Sequence, residues 1–328
     1  MTLTFRAPAL LALCSALSFA SSTSFAQTKW DLPSGYGANT FQVQNLVAFT
    51  EAVDKSTGGK LKITVHPGAS LFKANEIKRA VQSSQTAIGE FILSGASNEA
   101  PVFGVDSIPF LATSYAEAKK LDSVSRALLV KTLAAQGMKL LYTVPWPPQG
   151  LYSAKPVASM KDLKGTKMRA YNPATSFIAT AVGAQPVTIQ LAELPAALAT
   201  GGVDNFLTSS ASGVDSKLYE NVKNFYDVNA WLPRNAVVVN QKLFDALDKS
   251  TQDAVLAQAA LAQDRGWAIS EQKDNEYMKE LAAKGMKIDL TSDVLKKELK
   301  TIGERMTTDW LKLAGDEGKA VIDAFQKK

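Results

Sequence analysis

The sequence predicts an α/β protein of two lobes, and three observations carry that expectation. Short apolar or alternating runs that end at turn residues alternate along the chain with segments of helical periodicity. That pattern builds sheets of mostly parallel strands with helices on both faces. The 302 residues left after an N-terminal leader (328 less 26) exceed what one compact core usually holds. The segments follow one another without a low-complexity linker or internal repeat, and two lobes joined by crossing strands place a ligand cleft at their junction.

Taken in order, residues 1–26 read as a cleavable export signal. Arg6 supplies the positive start, residues 9–20 the apolar run, and Ser24-Phe25-Ala26 a small-x-small cleavage site. The run falls short of the roughly 20 residues that span a membrane, so the product is expected to be soluble and exported. Cys14, the only cysteine, lies in this run without the small residue before it that a lipoprotein signal requires. The mature chain then has no thiol, which excludes disulfides, thiolate–metal sites and cysteine catalysis. Tyr36 to Asn39 form a Gly-containing loop before a helix, a place where Asn39 commonly serves as a cap. LKITVH at 61–66 alternates as a strand and stops at Pro67-Gly68. A helix is expected at 74–84, a strand at 87–93, and a long helix at 115–136 capped by Gly137. Strands follow at 139–144, around Arg169 in TKMRAY, at 186–190 and at 203–208, with a helix starting near Ala174 after the Arg169 strand. NAVVVN at 235–240 reads as a strand buried on both faces. Residues 242–283 are helical with few breaks, unusually long for a globular helix. A strand at 286–290 and helices to the end complete the chain.

Composition removes several functions. Cleavage of the leader takes one positive charge, leaving +4 from +5, with lysines and acids interspersed and no basic cluster with aromatics, so nucleic acid is not an expected partner. His66 is the only histidine, which leaves a zinc site without imidazole partners and a Ser-His-Asp triad with a single candidate base and no G-x-S-x-G elbow. No metal or cofactor is expected. Gly35-Tyr36-Gly37 begins like a dinucleotide loop, but Thr40 replaces the third glycine and no strand of useful length is evident before it. Ser70-Leu71-Phe72-Lys73 matches the S-x-x-K nucleophile motif of penicillin-interacting enzymes. The companion elements are missing, since Ser292-Asp293 runs into Val294 and Lys300-Thr301 into Ile302, and a helix start after the Pro-Gly turn explains the match.

The stretch 162–209 is the most informative. Arg169 lies in a short strand-like run, and an arginine keeps its proton, so a half-buried one must meet an anion. Its planar fork suits a carboxylate held by two parallel hydrogen bonds. No acidic residue lies between Lys164 and Gln190, so the anion comes from a ligand or from a distant Asp or Glu. DLKGTKMR at 162–169 resembles the "DLKGxKxR" segment of the solute-binding proteins of tripartite ATP-independent periplasmic (TRAP) transporters, whose arginine clamps the ligand's carboxylate. Gly183-Ala184-Gln185-Pro186, Glu193-Leu194, Ala197-Leu198 and Gly201-Gly202-Val203-Asp204 match the segment that follows it in that family. GGKLKITVHPGASLF and VDSIPFLATSYAEA also look like family segments, so the resemblance spans the mature chain.

The resemblance implies a two-lobed periplasmic binding protein fold. Each lobe is a mixed or mostly parallel sheet flanked by helices, joined by crossing strands and a long helix. Lobe I would hold 27–146 and 235–275, lobe II 147–234 and 276–328. It implies a monomeric receptor, not an enzyme, that captures a small organic acid and delivers it to a TRAP permease. Many relatives carry a second arginine 20 residues before the first, where this chain has Gln149. An amide orients a hydroxyl, oxo or amide group but cannot balance a second carboxylate, which favours a monocarboxylate, with 2-oxo, 2-hydroxy or aromatic acids suiting the site. Trp146 stands at a strand end, where sheets present ligand contacts. Phe206, Leu207 and Thr208 align with the family's closing loop, Trp231 and Asn235 flank the crossing strand, and Phe91 and Asn39 complete the expected rim. The alternatives are a sugar acid as ligand, a binding protein of another transport system, and an exported serine enzyme built on Ser70 and Lys73.

Overall fold

The structure is a computed structural model that describes residues 1–2, 27–289 and 293–327. The expected leader with Cys14 falls almost wholly outside the described residues, as do Leu290 and Ser292. In chain order the elements are β1 (Thr28–Pro33), α1 (Phe41–Ser56), β2 (Leu61–His66), α2 (Ile77–Gln82) and β3 (Ile88–Ile92). Then come α3 (Tyr115–Ala135), β4 (Met138–Pro145), β5 (Gln149–Ser153), β6 (Lys167–Ala170), α4 (Pro173–Ala181) and β7 (Gln185–Thr188). They continue with α5 (Leu194–Ala199), β8 (Asn205–Ser209), α6 (Ser210–Asp215), β9 (Asn224–Tyr226) and β10 (Arg234–Asn240). The chain closes with α7 (Gln241–Asp245), α8 (Lys249–Ala283), β11 (Lys287–Asp289) and α9 (Asp293–Gln326). No helix among the described residues is long and apolar enough to cross a membrane.

Three sheets organise these elements. β1 and β2 pair in parallel, and β3–β10–β4 form an antiparallel sheet with β10 central. The third sheet runs β11–β9–β5–β8–β6–β7, parallel at β11/β9, β8/β6 and β6/β7 and antiparallel around β5. Every residue of β10 is buried, as its unbroken apolar run requires. One core packs β1, α1 and β4 through Leu32, Phe49, Val53 and Tyr142, and another packs around β5, β6 and Trp231. The segments that carry the chain between the sheets lie side by side. Trp146 N donates to Pro233 O at 2.8 Å, Gln149 N to Trp231 O at 2.9 Å, and Ala230 N to Gln149 O at 3.0 Å.

The local signals explain the boundaries. α3 starts at a reciprocal cap, Ser114 accepting from Glu117 N while Glu117 accepts from Ser114 N, and it ends before Gly137, whose φ of +74° suits glycine. The helical run at 242–283 divides because Asp248 accepts from Thr251 N at 3.0 Å and starts α8 afresh. α8 reaches both of the larger sheets. Its Trp267 Nε1 donates to Thr143 O at 3.0 Å, and its Leu281 packs with Tyr152 and Phe206. Gly266 permits the first contact, because a Cβ there would stand 2.5 Å from Val144 Cγ2. In α9, Leu295 and Leu299 join the Trp231 core, whereas Trp310, Val321 and Ile322 pack against Val105, Ile108 and Leu121.

Three local expectations need correction. β1 does precede Gly35-Tyr36-Gly37, hidden because TKWDLP alternates weakly and ends in proline. What still argues against a dinucleotide loop is Thr40, which caps α1 by accepting from Val43 N at 3.3 Å. The helix expected from Ala74 begins only at Ile77. Ser70 and Lys73 therefore sit exposed on an irregular stretch, with no hydrogen bond between them.

Candidate functional site

β6 lies between β7 and β8, and this places Arg169 opposite Val187 and Phe206, 3% exposed. Its Nε donates to Ile189 O at 2.8 Å, and its guanidinium lies 5.0 Å from the Tyr171 ring centroid. No carboxylate among the described residues lies in ion-pair range, and neither terminal nitrogen makes a hydrogen bond there. Burial lowers its pKa to about 10, which leaves it a cation at neutral pH. The guanidinium faces a cavity of about 560 Å³ at the crossing between the sheets, a size that fits a small organic ligand.

The crossing segment builds one wall. Gln149 is 2% exposed, not a solvated loop residue, and its Nε2 donates to Pro147 O at 3.1 Å while its Oε1 accepts from Tyr171 OH at 3.3 Å. Burial raises the Tyr171 pKa well above its ordinary value, so the phenol stays a donor. Gly150 follows Gln149 because a Cβ there would come 2.3 Å from Phe225 Cζ. Trp146 donates its Nε1 to Asn235 Oδ1 at 2.9 Å and tilts against Tyr36, ring centroids 4.9 Å apart. Phe91 from β3 and Thr208 from β8 complete the walls.

Four expected residues lie elsewhere. Phe206 shares a strand face with Thr208 but sits two residues back, roughly 7 Å deeper, stacked on Tyr152 at 4.9 Å and fully buried. Trp231 is core, packed with Leu151 and Leu299, and serves the site through the backbone bond to Gln149. Asn235 lies behind the wall and accepts from Trp146 and, at 3.2 Å, from Tyr36 OH. Asn39 is exposed on a neighbouring crevice and donates to Asp215 O at 3.0 Å. Arg234, which follows the cavity-lining Pro233, is consumed by Asp106 and Asp122. Lys78, also on the cavity lining, pairs with Glu99.

Sequence reasoning missed Glu90. It lies on β3 opposite Val237, 1% exposed and on the cavity wall. Burial raises its pKa, opposed by hydrogen bonds from Ser34 and Asn235. Its signal was an acid inside the apolar run IGEFI, where a charge needs a partner.

Residues 34–314 match the bacterial extracellular solute-binding proteins, family 7. The chain belongs to that family. The TRAP resemblance of the Arg169 segment is thereby borne out, and with it a two-lobed receptor for small organic acids. The family is one of solute receptors rather than enzymes. The chain is 51% identical to DctP6 of Bordetella pertussis, an extracytoplasmic solute receptor binding pyroglutamic acid, over 92% of this chain and 100% of that one, with a TM-score of 0.90. It is 43% identical to a marine metagenome TRAP solute-binding protein specific for pyroglutamate, over 93% and 100%, with a TM-score of 0.91. A solute-binding protein of Albidiferax ferrireducens is 26% identical over 76% of this chain and 75% of its own.

Proposed function

We propose that this chain is the periplasmic receptor of a TRAP transporter and that its solute is a small cyclic monocarboxylate, with pyroglutamate the first candidate. The observation that carries the reading is Arg169, a buried cation whose terminal nitrogens face a 560 Å³ cavity with no carboxylate in ion-pair range among the described residues. A ligand carboxylate completes it with two parallel charge-assisted bonds. Gln149, fixed by Tyr171 and Pro147, offers an amide where a second cation would serve a dicarboxylate. Pyroglutamate has one carboxylate and a ring amide, and receptors 51% and 43% identical bind it. Residues 1–26 direct export and are removed. Lobe I (27–146 and 235–275) and lobe II (147–234 and 276–328) close on the solute, and the closed monomer docks on the permease.

Calorimetric titration with L-pyroglutamate tests the reading directly. Saturable one-to-one binding that Arg169→Ala abolishes is the expected result. No binding of pyroglutamate by the wild type, with binding of another acid instead, overturns the choice of solute.

A further inference from the structure

The cavity contains a second uncompensated charge site. Glu90 has no cation within ion-pair range among the described residues, and it does not pair with Arg169 across the same cavity. Both its oxygens are acceptors already. Trp146 Nε1 can only donate, so its bond to Asn235 Oδ1 fixes the Asn235 amide and turns Nδ2 to Glu90 Oε1 at 2.9 Å. Tyr36 N donates to Ser34 Oγ at 3.3 Å, which leaves the Ser34 hydroxyl proton for Glu90 Oε2 at 2.5 Å. Two donors aimed at the carboxylate favour its ionised form against the burial that opposes it. A carboxylate accepts about four hydrogen bonds, so two acceptor positions remain open on a group that borders the cavity.

We propose that Glu90 is a specificity-determining residue that accepts a hydrogen bond from an N–H on the solute while Arg169 holds the solute's carboxylate. Residues Ser34, Tyr36, Trp146 and Asn235 position it. The inference rests on the function proposed above and adds the chemistry that sorts solutes within it. An acid with the right ring but no N–H leaves Glu90 unsatisfied and brings an oxygen lone pair against it, and a site built to hydrogen-bond a group rejects the analogue that lacks it.

The test compares L-pyroglutamate with its lactone isostere, 5-oxotetrahydrofuran-2-carboxylate, in which a ring oxygen replaces the N–H. Dissociation constants are measured for the wild type and for Glu90→Gln. The wild type should prefer pyroglutamate by at least about 100-fold, and Glu90→Gln, of nearly the same shape, should reduce that ratio to less than about ten-fold. A purely structural glutamate would leave the ratio unchanged. Equal binding of lactone and pyroglutamate by the wild type overturns the inference while leaving the pyroglutamate reading intact, as does an unchanged ratio in Glu90→Gln. Failure of pyroglutamate to bind the wild type at all overturns both. If Glu90→Gln does not fold, the wild-type comparison decides alone.

Discussion

Replacing Arg169 by methionine separates binding from stability. The change keeps a long apolar stem and removes the fork. Each of the two terminal nitrogens is free for the solute, and a hydrogen bond to a charged group contributes about 1.5–3 kcal/mol. Losing both, and leaving the solute carboxylate buried without its cation, should cost about 3–5 kcal/mol. At about 1.4 kcal/mol per decade, affinity falls by roughly 10² to 10⁴-fold. The unliganded protein should respond in the opposite sense. Burial lowers the Arg169 pKa to about 10, so the folded state holds this proton less well than the unfolded chain at every pH below about 10. At 1.36 kcal/mol per unit that is a cost on the order of 3 kcal/mol. The bond to Ile189 O returns about 1 kcal/mol of it. Arg169→Met should therefore leave unliganded stability in urea equal to the wild type or higher, while calorimetry shows binding lost. An affinity within ten-fold of the wild type refutes the carboxylate clamp. A large loss of unliganded stability shows instead that the arginine is structural.

The remaining predictions concern charge and chemistry elsewhere. Monocarboxylates should bind far better than dicarboxylates of equal length, and Gln149→Arg should narrow the gap, because an unpaired buried carboxylate costs several kcal/mol; equal affinity for succinate in a calorimetric competition contradicts this. Ser70→Ala should leave solute affinity unchanged, and mass spectrometry after a β-lactam probe should find no adduct at exposed Ser70. Burial raises Asp215 from 3.8 to about 7, so its contribution to stability is full below about pH 3.8 and lost as pH rises through about 7. Urea titrations from about pH 5 to about pH 8 should show a decline that Asp215→Asn flattens, and an identical slope in the variant would count against the burial.

The legible parts of this molecule are those set by local pattern. NAVVVN had to be buried, and TKMRAY placed a cation in a strand without an acid nearby. Trp146 followed from its position at a strand end, and Gln149 from its spacing to Arg169 in the family resemblance. What failed was depth and connection. The family resemblance put both Phe206 and Thr208 on the closing loop but did not tell that, of the two, Thr208 reaches the cleft. Asn235 looked like a wall residue, yet it acts through Trp146, Tyr36 and Glu90, three side chains distant in sequence from one another. Glu90 was passed over inside the strand at 87–93, because nothing local shows that both faces of β3 are covered. Strands β5 and β9 went unseen for a similar reason: QGLYS and NFY are short, and Gly150 carries meaning only against Phe225. The preference for 2-oxo, 2-hydroxy or aromatic acids rested on Trp146, Gln149 and Phe206, of which Phe206 lies behind the wall, while Glu90 stands on it.

The central claim is that Arg169 is an unpaired cation waiting for one carboxylate. A crystal structure of the wild-type protein grown with L-pyroglutamate tests it most directly. The solute carboxylate should lie within hydrogen-bond distance of both terminal nitrogens of Arg169, with the solute closed over by Trp146 and Gln149. A carboxylate seated away from Arg169, or an Arg169 paired with a side chain of its own chain while the solute is bound, would contradict it.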